Sequence, residues 1–287
     1  MAIWRNPPPL RQNDLNESAS MQASPEAIAT KAALSPGVLT VLRDDAGLRL
    51  WRMAGETQRL VVCFSGVGVD ADLPPPPEWQ RLVAWTPRDH LLFVSDPGRT
   101  WLNREGLIEE IVDAIEAEVD HCGAVQVCTL GHSMGGFAAL VIPAFTQVDV
   151  AVAMSPQYAV DPAVVPDETR WAQYRDAIAQ YRVSNAADYI VPECRYYVFF
   201  GRHPREAVQR NLAQPSENLE LYVMPGTHHN TPQRMKAAGV LDTMISACFA
   251  GKQRVRNKIM GKILQARRIA VASVGAEPEA DFGEDSE

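Results

Sequence analysis

A serine flanked by two glycines stands near the middle of the chain, in the segment GHSMG at 131–135. A β-branched run precedes this G-x-S-x-G pattern and an Ala- and Leu-rich run follows it, which predicts a strand, a tight turn and a helix. On such a turn the Ser133 hydroxyl is held over the carboxyl edge of a sheet, where it can attack an acyl carbon. The pattern therefore predicts a nucleophilic serine, with a glycine-rich structural turn as the alternative.

A serine hydroxyl is a poor nucleophile at neutral pH and needs an imidazole to take its proton. His132 lies within the glycine-flanked turn, where its side chain is expected to point away from the nucleophile. Three of the six histidines lie on elements with unsuitable topology: His90, His121 and His203. His228 and His229 both follow the last predicted strand, and the residue pattern leaves the choice between them open.

A carboxylate must orient the imidazole and stabilise its cation, and two acids are candidates for this position. Glu206 follows the penultimate predicted strand, whereas Asp161 follows an earlier one. We favour Glu206, because a site of this type carries its acid after a late strand. A serine-histidine dyad, or a different acid, is the third alternative.

Backbone amides at the ends of two strands could stabilise the oxyanion that forms during acyl transfer. A buried strand predicted at 59–65 ends in a small-residue loop that contains Gly66 and Val67. The N–H group of one of these residues, together with that of Met134, is the candidate oxyanion hole. An ordinary glycine turn is the alternative.

A polar and aromatic loop leaves the next predicted strand at the same edge of the sheet. Asp96, Arg99 and Trp101 belong to this loop and are candidates for contact with substrate. An aspartate that caps a turn and a tryptophan that covers the core are the structural alternatives.

The predicted elements alternate between strands and helices. Strands are expected at 59–65, 90–95, 148–154, 195–200 and 219–224, with a β-hairpin between 38 and 53, and helices at 104–122 and 232–249. Serine, acid and histidine follow one another in the order that is typical of the α/β-hydrolase fold. We therefore expect a mostly parallel central sheet with helices on both faces and a small lid insertion.

The predicted hydrolase domain covers residues 37–250. A mobile N-terminal arm is expected over 1–36, with a short helix near 25–34. The segment at about 159–194, with a helix at 167–179, is expected to form the lid. A basic helix and a disordered acidic tail are expected within 251–287.

The composition argues against several classes of protein. With 287 residues, 46% of them apolar, the chain can bury one substantial core. A net charge of -8 argues against a nucleic-acid binder, which needs a phosphate-neutralising surface. We see no secretory signal and no apolar run near the ~18 residues of a membrane-spanning helix. The five scattered cysteines lack disulfide or metal-site spacing, so we expect a cytoplasmic protein with reduced thiols and no metal.

The motifs taken together resemble a family, although the serine motif alone is common to many hydrolases. They span residues 60–241 and comprise VVCFSGVG, FVSDPGRTW, LGHSMGGFAAL, MSPQ, an Arg-Trp pair and a late histidine followed by a helix. This set is similar to small α/β-hydrolase-fold proteins associated with bacterial capsule and surface-polysaccharide biosynthesis, some of which are O-acetyltransferases.

The resemblance implies an acyl-enzyme on Ser133 and favours His229 as the base, because Asn230 and the following helix match the family spacing. It implies an ester or a sugar hydroxyl as substrate, an acetyl-CoA or other acyl donor if the chain is a transferase, and a glycosyltransferase as partner. Substrate contacts are expected from the motif residues His132, Gln157, Arg170 and Trp171. Many relatives carry an aspartate three residues after the glycine that corresponds to Gly201, where this chain has Pro204.

Three functions remain open at this stage. The first is hydrolysis of an ester through an acyl-serine, without a cofactor. The second is transfer of the same acyl group to a carbohydrate hydroxyl. The third is a catalytically inactive binding module. No phosphate-cradling motif for a CoA donor is visible, although Arg99, Arg170 and Arg202 could serve, and this favours hydrolysis.

Overall fold

The structure is a computed structural model that describes residues 37–80 and 88–270. Its centre is a nine-stranded sheet in the order β1-β2-β4-β3-β5-β6-β7-β8-β9. The strands are Leu39–Asp44, Arg49–Met53, Arg59–Phe64, His90–Ser95, Gln126–His132, Val150–Met154, Arg195–Gly201, Leu219–Met224 and Arg267–Ile269. The predicted arm over 1–36, its helix at 25–34 and the acidic tail from residue 271 onward lie outside the described residues.

The middle of the sheet is parallel, and both of its edges are antiparallel. Strands β3 to β8 run in the same direction, whereas β1 and β2 form the predicted hairpin on one edge and β9 pairs with β8 on the other. Every residue of β6 and β8 is buried, as expected for strands covered on both faces. The predicted mostly parallel α/β sheet is thus confirmed.

Helices cover the sheet on both faces. The helices are α1 Leu107–Cys122, α2 Met134–Val141, α3 Ala172–Arg175, α4 Ala207–Arg210, α5 Thr231–Ala237, α6 Leu241–Phe249 and α7 Gln253–Lys258. Helices α1 and α2 pack with Leu60 and Val62 of β3, whereas α5 and α6 pack with Val61 and Cys63 on the other face. Successive side chains of β3 therefore point into two separate hydrophobic cores, one on each face of the sheet.

Three helix predictions were wrong in extent. The predicted helix at 232–249 is two helices, α5 and α6, because Gly239 has a φ of +68° that ends the first one. Within the predicted helix at 167–179 only α3 is an α-helix. The basic segment forms α7 and a π-helical turn, Ile259–Ile263, and the chain then adds β9 to the sheet.

The turn between β5 and α2 depends on its two flanking glycines. A Cβ atom on Gly131 would lie 2.0 Å from the Gly135 oxygen, and one on Gly135 would lie 2.3 Å from the Phe64 oxygen. Ser133 has a φ of 57°, a left-handed conformation that costs a non-glycine residue about 1–3 kcal/mol. The close contact of strand, turn and helix therefore holds the serine at the carboxyl end of β5.

A Gly131→Ala substitution is expected to lower the free energy of unfolding by about 3 kcal/mol or more, since the new methyl group meets fixed backbone atoms. Urea denaturation followed by circular dichroism measures this loss. Gly261→Ala is the matched control, because a Cβ atom there meets nothing within 4 Å. It should change stability by no more than ~0.5 kcal/mol. Equal stability of both variants would contradict the tight packing of the turn.

Candidate active site

Five parallel strands end at one edge of the sheet, and the residues that follow them gather there. Val67 follows β3, Ser133 follows β5, Gln157 follows β6, Glu206 follows β7 and His229 follows β8. Parallel strands bring their carboxyl ends to the same edge, which is where ligands bind in open α/β sheets. Residues far apart in sequence therefore become neighbours.

The loops after β7 and β8 touch each other at Gly201. A Cβ atom on this glycine would lie 2.1 Å from the Thr227 oxygen and 2.3 Å from the His228 oxygen. Only a glycine allows this approach, and the N–H group of His203 then donates to the Thr227 oxygen at 3.1 Å. This contact holds the loop that carries Glu206 beside the loop that carries His229.

His229 and Glu206 form a hydrogen-bonded pair. Glu206 lies on the short turn Pro204–Glu206, is 1% exposed, and places Oε2 at 3.3 Å from Nδ1 of His229. Burial alone would raise the pKa of Glu206, but its hydrogen bond with His229 and the charge of Arg170 hold the pKa below its ordinary value. The carboxylate is therefore charged at neutral pH and can hold a proton on Nδ1.

Arg170 contacts this pair from the predicted lid segment. Its Nη1 lies 2.6 Å from Oε1 of Glu206 and 3.0 Å from Nδ1 of His229, and the guanidinium also binds Glu168. A guanidinium only donates, so a bond from Arg170 to Nδ1 requires the proton to be on Nε2. A bond from Nδ1 to Glu206 instead leaves Nε2 free to accept a proton. Arg170 and Glu206 thus favour opposite tautomers of His229.

His132 supports the backbone of the same histidine. Its Nε2 lies 2.7 Å from the carbonyl oxygen of His229, and because a carbonyl only accepts, this nitrogen carries the proton. Burial and the neighbouring His229 ring lower the pKa of His132 to about 4, so that its ring is neutral. His132 was predicted to contact substrate. In the structure its Nε2–H group binds the carbonyl group of His229 and so helps to position that residue.

The Ser133 side chain faces an amide. Ser133 is 4% exposed, and its Oγ lies 3.4 Å from Oε1 of Gln157. Nε1 of Trp101 donates to the same oxygen at 3.0 Å, and because an indole N–H only donates, this bond fixes the orientation of the Gln157 amide. Trp101 is 1% exposed, so its role at this site is to orient the Gln157 amide.

Two buried nitrogens on the residues that contact Ser133 and Glu206 have no hydrogen-bond partner among the described residues. They are Nε2 of Gln157 and Nε2 of His229. His229 therefore does not bind the Ser133 hydroxyl in this arrangement. Hydrogen bonds of a catalytic group are often long or absent until a substrate is bound.

The candidate oxyanion donors lie where β3 and β5 end. Met134 opens α2, so its N–H group has no partner within the helix. Nε of Arg99 donates to the Val67 carbonyl at 2.8 Å and so fixes the loop after β3. The Gly66 N–H group instead binds the carboxyl group of Glu78, whose pKa burial raises to about 7. Of the two candidate amides after β3 we therefore favour that of Val67, paired with that of Met134, as the candidate oxyanion hole.

The side chains of Asp96 and Arg99 form hydrogen bonds with nearby backbone groups. The Asp96 carboxylate accepts hydrogen bonds from two amides of its turn, at 3.0 and 2.6 Å. Arg99 is 5% exposed and donates to the carbonyl groups of Val67, Asp70 and Leu73. Contact of these two side chains with substrate stays a prediction, and in this structure their polar atoms bind backbone groups.

Three other candidates do not join the pair of Glu206 and His229. The exposed His228 ring stacks on that of His203, with 3.8 Å between the ring centroids. Asp161 accepts hydrogen bonds from a neighbouring amide and from the Ser184 hydroxyl, so it does not orient a histidine. Trp171 is half-buried, with a φ of 61° and an indole nitrogen that has no partner among the described residues.

Three residues of this region were missed by the sequence analysis. Glu78 lies against the loop after β3. Glu168 and Gln209 are both buried, and they join each other by a hydrogen bond of 3.0 Å behind Arg170. Each comes from an irregular segment or a four-residue helix, so neither periodicity nor a motif could have indicated them.

Metal and membrane sites were sought over the same described ranges. In residues 37–80 and 88–270 no three His, Cys, Asp or Glu side chains are grouped as a metal site would require. No helix within these ranges has both the length and the apolar character that crossing a bilayer demands. All five cysteines are free thiols, and four of them are buried.

Comparison with known proteins gives matches only among solved structures. No family model matches the sequence, and no curated protein matches it significantly. An esterase of Pyrococcus furiosus is 13% identical, with a TM-score of 0.51 over 74% of this chain and 89% of that chain. A chain of the glycosylation-associated protein complex (Gap123) of Streptococcus agalactiae is 12% identical, with a TM-score of 0.50 over 78% of this chain and 47% of that chain.

A capsule O-acetyltransferase of Neisseria meningitidis serogroup A is also 12% identical, with a TM-score of 0.49 over 71% of this chain and 92% of that chain. Identities this low bear on the fold alone. The likeness to the Pyrococcus esterase agrees with the strand order and with the serine turn between β5 and α2. The chain therefore has the α/β-hydrolase fold.

Proposed function

We propose that this chain is a serine-dependent acyl hydrolase that works through an acyl-enzyme on Ser133. The observation that carries the proposal is His229, whose Nδ1 is paired with the buried Glu206 carboxylate and whose buried Nε2 has no partner among the described residues. An imidazole held in this way can take a proton from a serine. The strained turn supplies that serine at the same edge of the sheet.

The proposed reaction has two steps. The Ser133 proton moves to Nε2 of His229 while Oγ attacks the ester carbonyl carbon. The N–H groups of Met134 and Val67 stabilise the oxyanion, and the alkoxide leaves with the proton from His229. Water then gives a proton to His229 while its oxygen attacks the acyl carbon; the bond from this carbon to Oγ breaks, the His229 proton passes to Oγ, and the acid is released.

Two contacts must change before the first step. The Ser133 hydroxyl has to leave Oε1 of Gln157 for Nε2 of His229, and the His229 proton has to be on the side of Glu206. A substrate oxygen could accept a hydrogen bond from Nε2 of Gln157, which has no partner among the described residues. We therefore assign Gln157 the role of a substrate ligand beside the nucleophile.

The segment at 159–194 is proposed to select the substrate. It contributes Arg170 to the acid–base pair, and its backbone is held by the buried Arg175, which donates to carbonyl oxygens of Val160 and Glu168. A segment that is tied down in this way and also reaches the catalytic pair can act as a lid.

Acyl transfer to a carbohydrate hydroxyl is the second candidate function. The favouring observation is the combination of sequence motifs that resembles capsule-associated proteins. A sugar hydroxyl would give its proton to His229 and attack the same acyl-serine in place of water. Whether transfer exceeds hydrolysis depends on how well the site binds the acceptor and excludes water.

The first experiment is the intact mass of the protein after exposure to a fluorophosphonate. We expect one adduct, mapped to Ser133, because the probe reacts with a serine that a neighbouring base has activated. Turnover of p-nitrophenyl acetate is then measured with and without an oligosaccharide. An acylated oligosaccharide would identify a transferase, whereas release of acetate alone would identify a hydrolase. A folded protein without any adduct would favour a binding module and overturn the proposal.

A further inference from the structure

A cavity lies on the outer side of the two loops that carry Glu206 and His229. Its volume is about 630 Å³. Its walls come from the loops after β7 and β8, from α4 and from the edge strand β9. His228 lines this cavity, whereas the next residue, His229, turns its ring toward Arg170. The cavity and the proposed catalytic pair therefore share two loops but lie on opposite sides of them.

The lining of this cavity is cationic. Three arginines, Arg202, Arg210 and Arg267, contribute the charge, the rings of His203 and His228 lie among them, and no aspartate or glutamate is among the described lining residues. This local excess of positive charge contrasts with the formal net charge of -8 for the whole chain. The cavity is thus a place where an anion would be attracted, although the protein as a whole is acidic.

The guanidinium groups of Arg202 and Arg210 retain donors for a ligand. Arg210 donates to the Gly201 oxygen at 2.8 Å through Nη1 alone. Burial lowers the pKa of Arg210, and the Arg202 charge adds to this effect, while Glu206 opposes it. The Arg202 side chain makes no hydrogen bond or ion pair with any described residue. An anion placed between two neighbouring arginines offsets their mutual repulsion, so both guanidinium groups would be stabilised by binding it.

A neutral donor stands beside these charges. Nδ1 of His203 accepts a hydrogen bond from the Arg205 N–H group at 3.2 Å, so the proton of the neutral ring is on Nε2. Burial, the stacked His228 ring and Arg205 lower the pKa of His203, which favours this neutral form. Its Nε2–H group can donate to an oxygen without adding charge.

We propose that this cavity binds a phosphate group of a small-molecule ligand. Planar guanidinium forks match the oxygens of phosphate, and a phosphate with two negative charges would neutralise Arg202 and Arg210 together. The ligand could carry this phosphate as part of a nucleotide-type acyl carrier or as part of a phosphorylated sugar. Binding here does not require the chemistry proposed for Ser133, so the two proposals can fail separately.

The test is isothermal titration of the full chain with sodium pyrophosphate at low ionic strength, where exposed charges are least screened. A Ser133→Ala background excludes any covalent reaction. We expect saturable binding to one site, and Arg202→Ala should weaken it about tenfold or more. Arg205→Ala is the matched control, because it removes the same charge from the same loop but does not line the cavity. This control should weaken binding by no more than about threefold.

The same titration with ADP and with glucose 1-phosphate distinguishes the two sources of the phosphate. Tighter binding of ADP would assign the cavity to a nucleotide-type carrier, and tighter binding of the sugar phosphate would assign it to a phosphorylated sugar. Two results would overturn the proposal. One is the absence of heat with millimolar pyrophosphate. The other is an equal loss in Arg202→Ala and Arg205→Ala, which would indicate nonspecific attraction.

Discussion

Replacing Ser133 with alanine is expected to abolish fluorophosphonate labelling and to lower esterase turnover by ~10⁴-fold or more. The Oγ atom is the only group on this turn that can form the acyl-enzyme. The fold should persist, because the hydroxyl makes a single long hydrogen bond, 3.4 Å, to Gln157. Intact-protein mass and turnover of p-nitrophenyl acetate measure the loss, and thermal unfolding measures the stability.

The matched control for this variant is Ser155→Ala. Ser155 is also a fully buried serine that follows a parallel strand, and its hydroxyl lies 3.0 Å from that of Thr231. This variant should still form the adduct at Ser133. An adduct that survived in Ser133→Ala would show that another residue is the nucleophile, and the proposed mechanism would then be wrong.

Replacing His229 with alanine is expected to lower turnover by ~10³-fold or more, because the base would then be lost. Nδ1 of His229 pairs with Glu206, whereas the His228 ring stacks on His203. The loss for His229→Ala should therefore exceed the loss for His228→Ala by about a hundredfold. Initial rates with p-nitrophenyl acetate give the comparison.

His121→Ala controls for the general effect of removing a histidine. His121 is exposed in the last turn of α1, distant in sequence from the proposed catalytic residues, and its loss should leave turnover unchanged. A larger loss for His228→Ala than for His229→Ala would reverse the assignment of the base. Equal and small losses for both would argue for a mechanism that needs neither imidazole.

The tautomer of His229 links the acid–base pair to the predicted lid segment. Glu206 favours the proton on Nδ1, the form that can accept the serine proton, whereas Arg170 favours the proton on Nε2. Arg170 also keeps the Glu206 carboxylate charged. Its position therefore bears on whether the base is ready to act.

Local patterns in the sequence were sufficient for strands β1 to β8 and the serine turn, but not for β9. The β4 and β8 boundaries coincide with the mostly apolar runs at 90–95 and 219–224, because a strand buried on both faces is predominantly apolar. The strained turn at Ser133 could also be predicted from the sequence, since only glycines fit the positions two residues before and after it. These features depend on residues that are adjacent or a few positions apart.

The tertiary structure decided which polar atoms the candidate acid, the candidate histidine and the loop residues contact. Glu206 reaches His229 across 23 positions because the loops after β7 and β8 touch at Gly201, whereas Asp161 is bonded within its own segment. Arg99 was predicted as a candidate for substrate contact, and the structure shows that it donates to backbone oxygens up to 32 positions away. Composition and spacing describe a chain locally, and only packing determines which distant polar atoms a side chain meets.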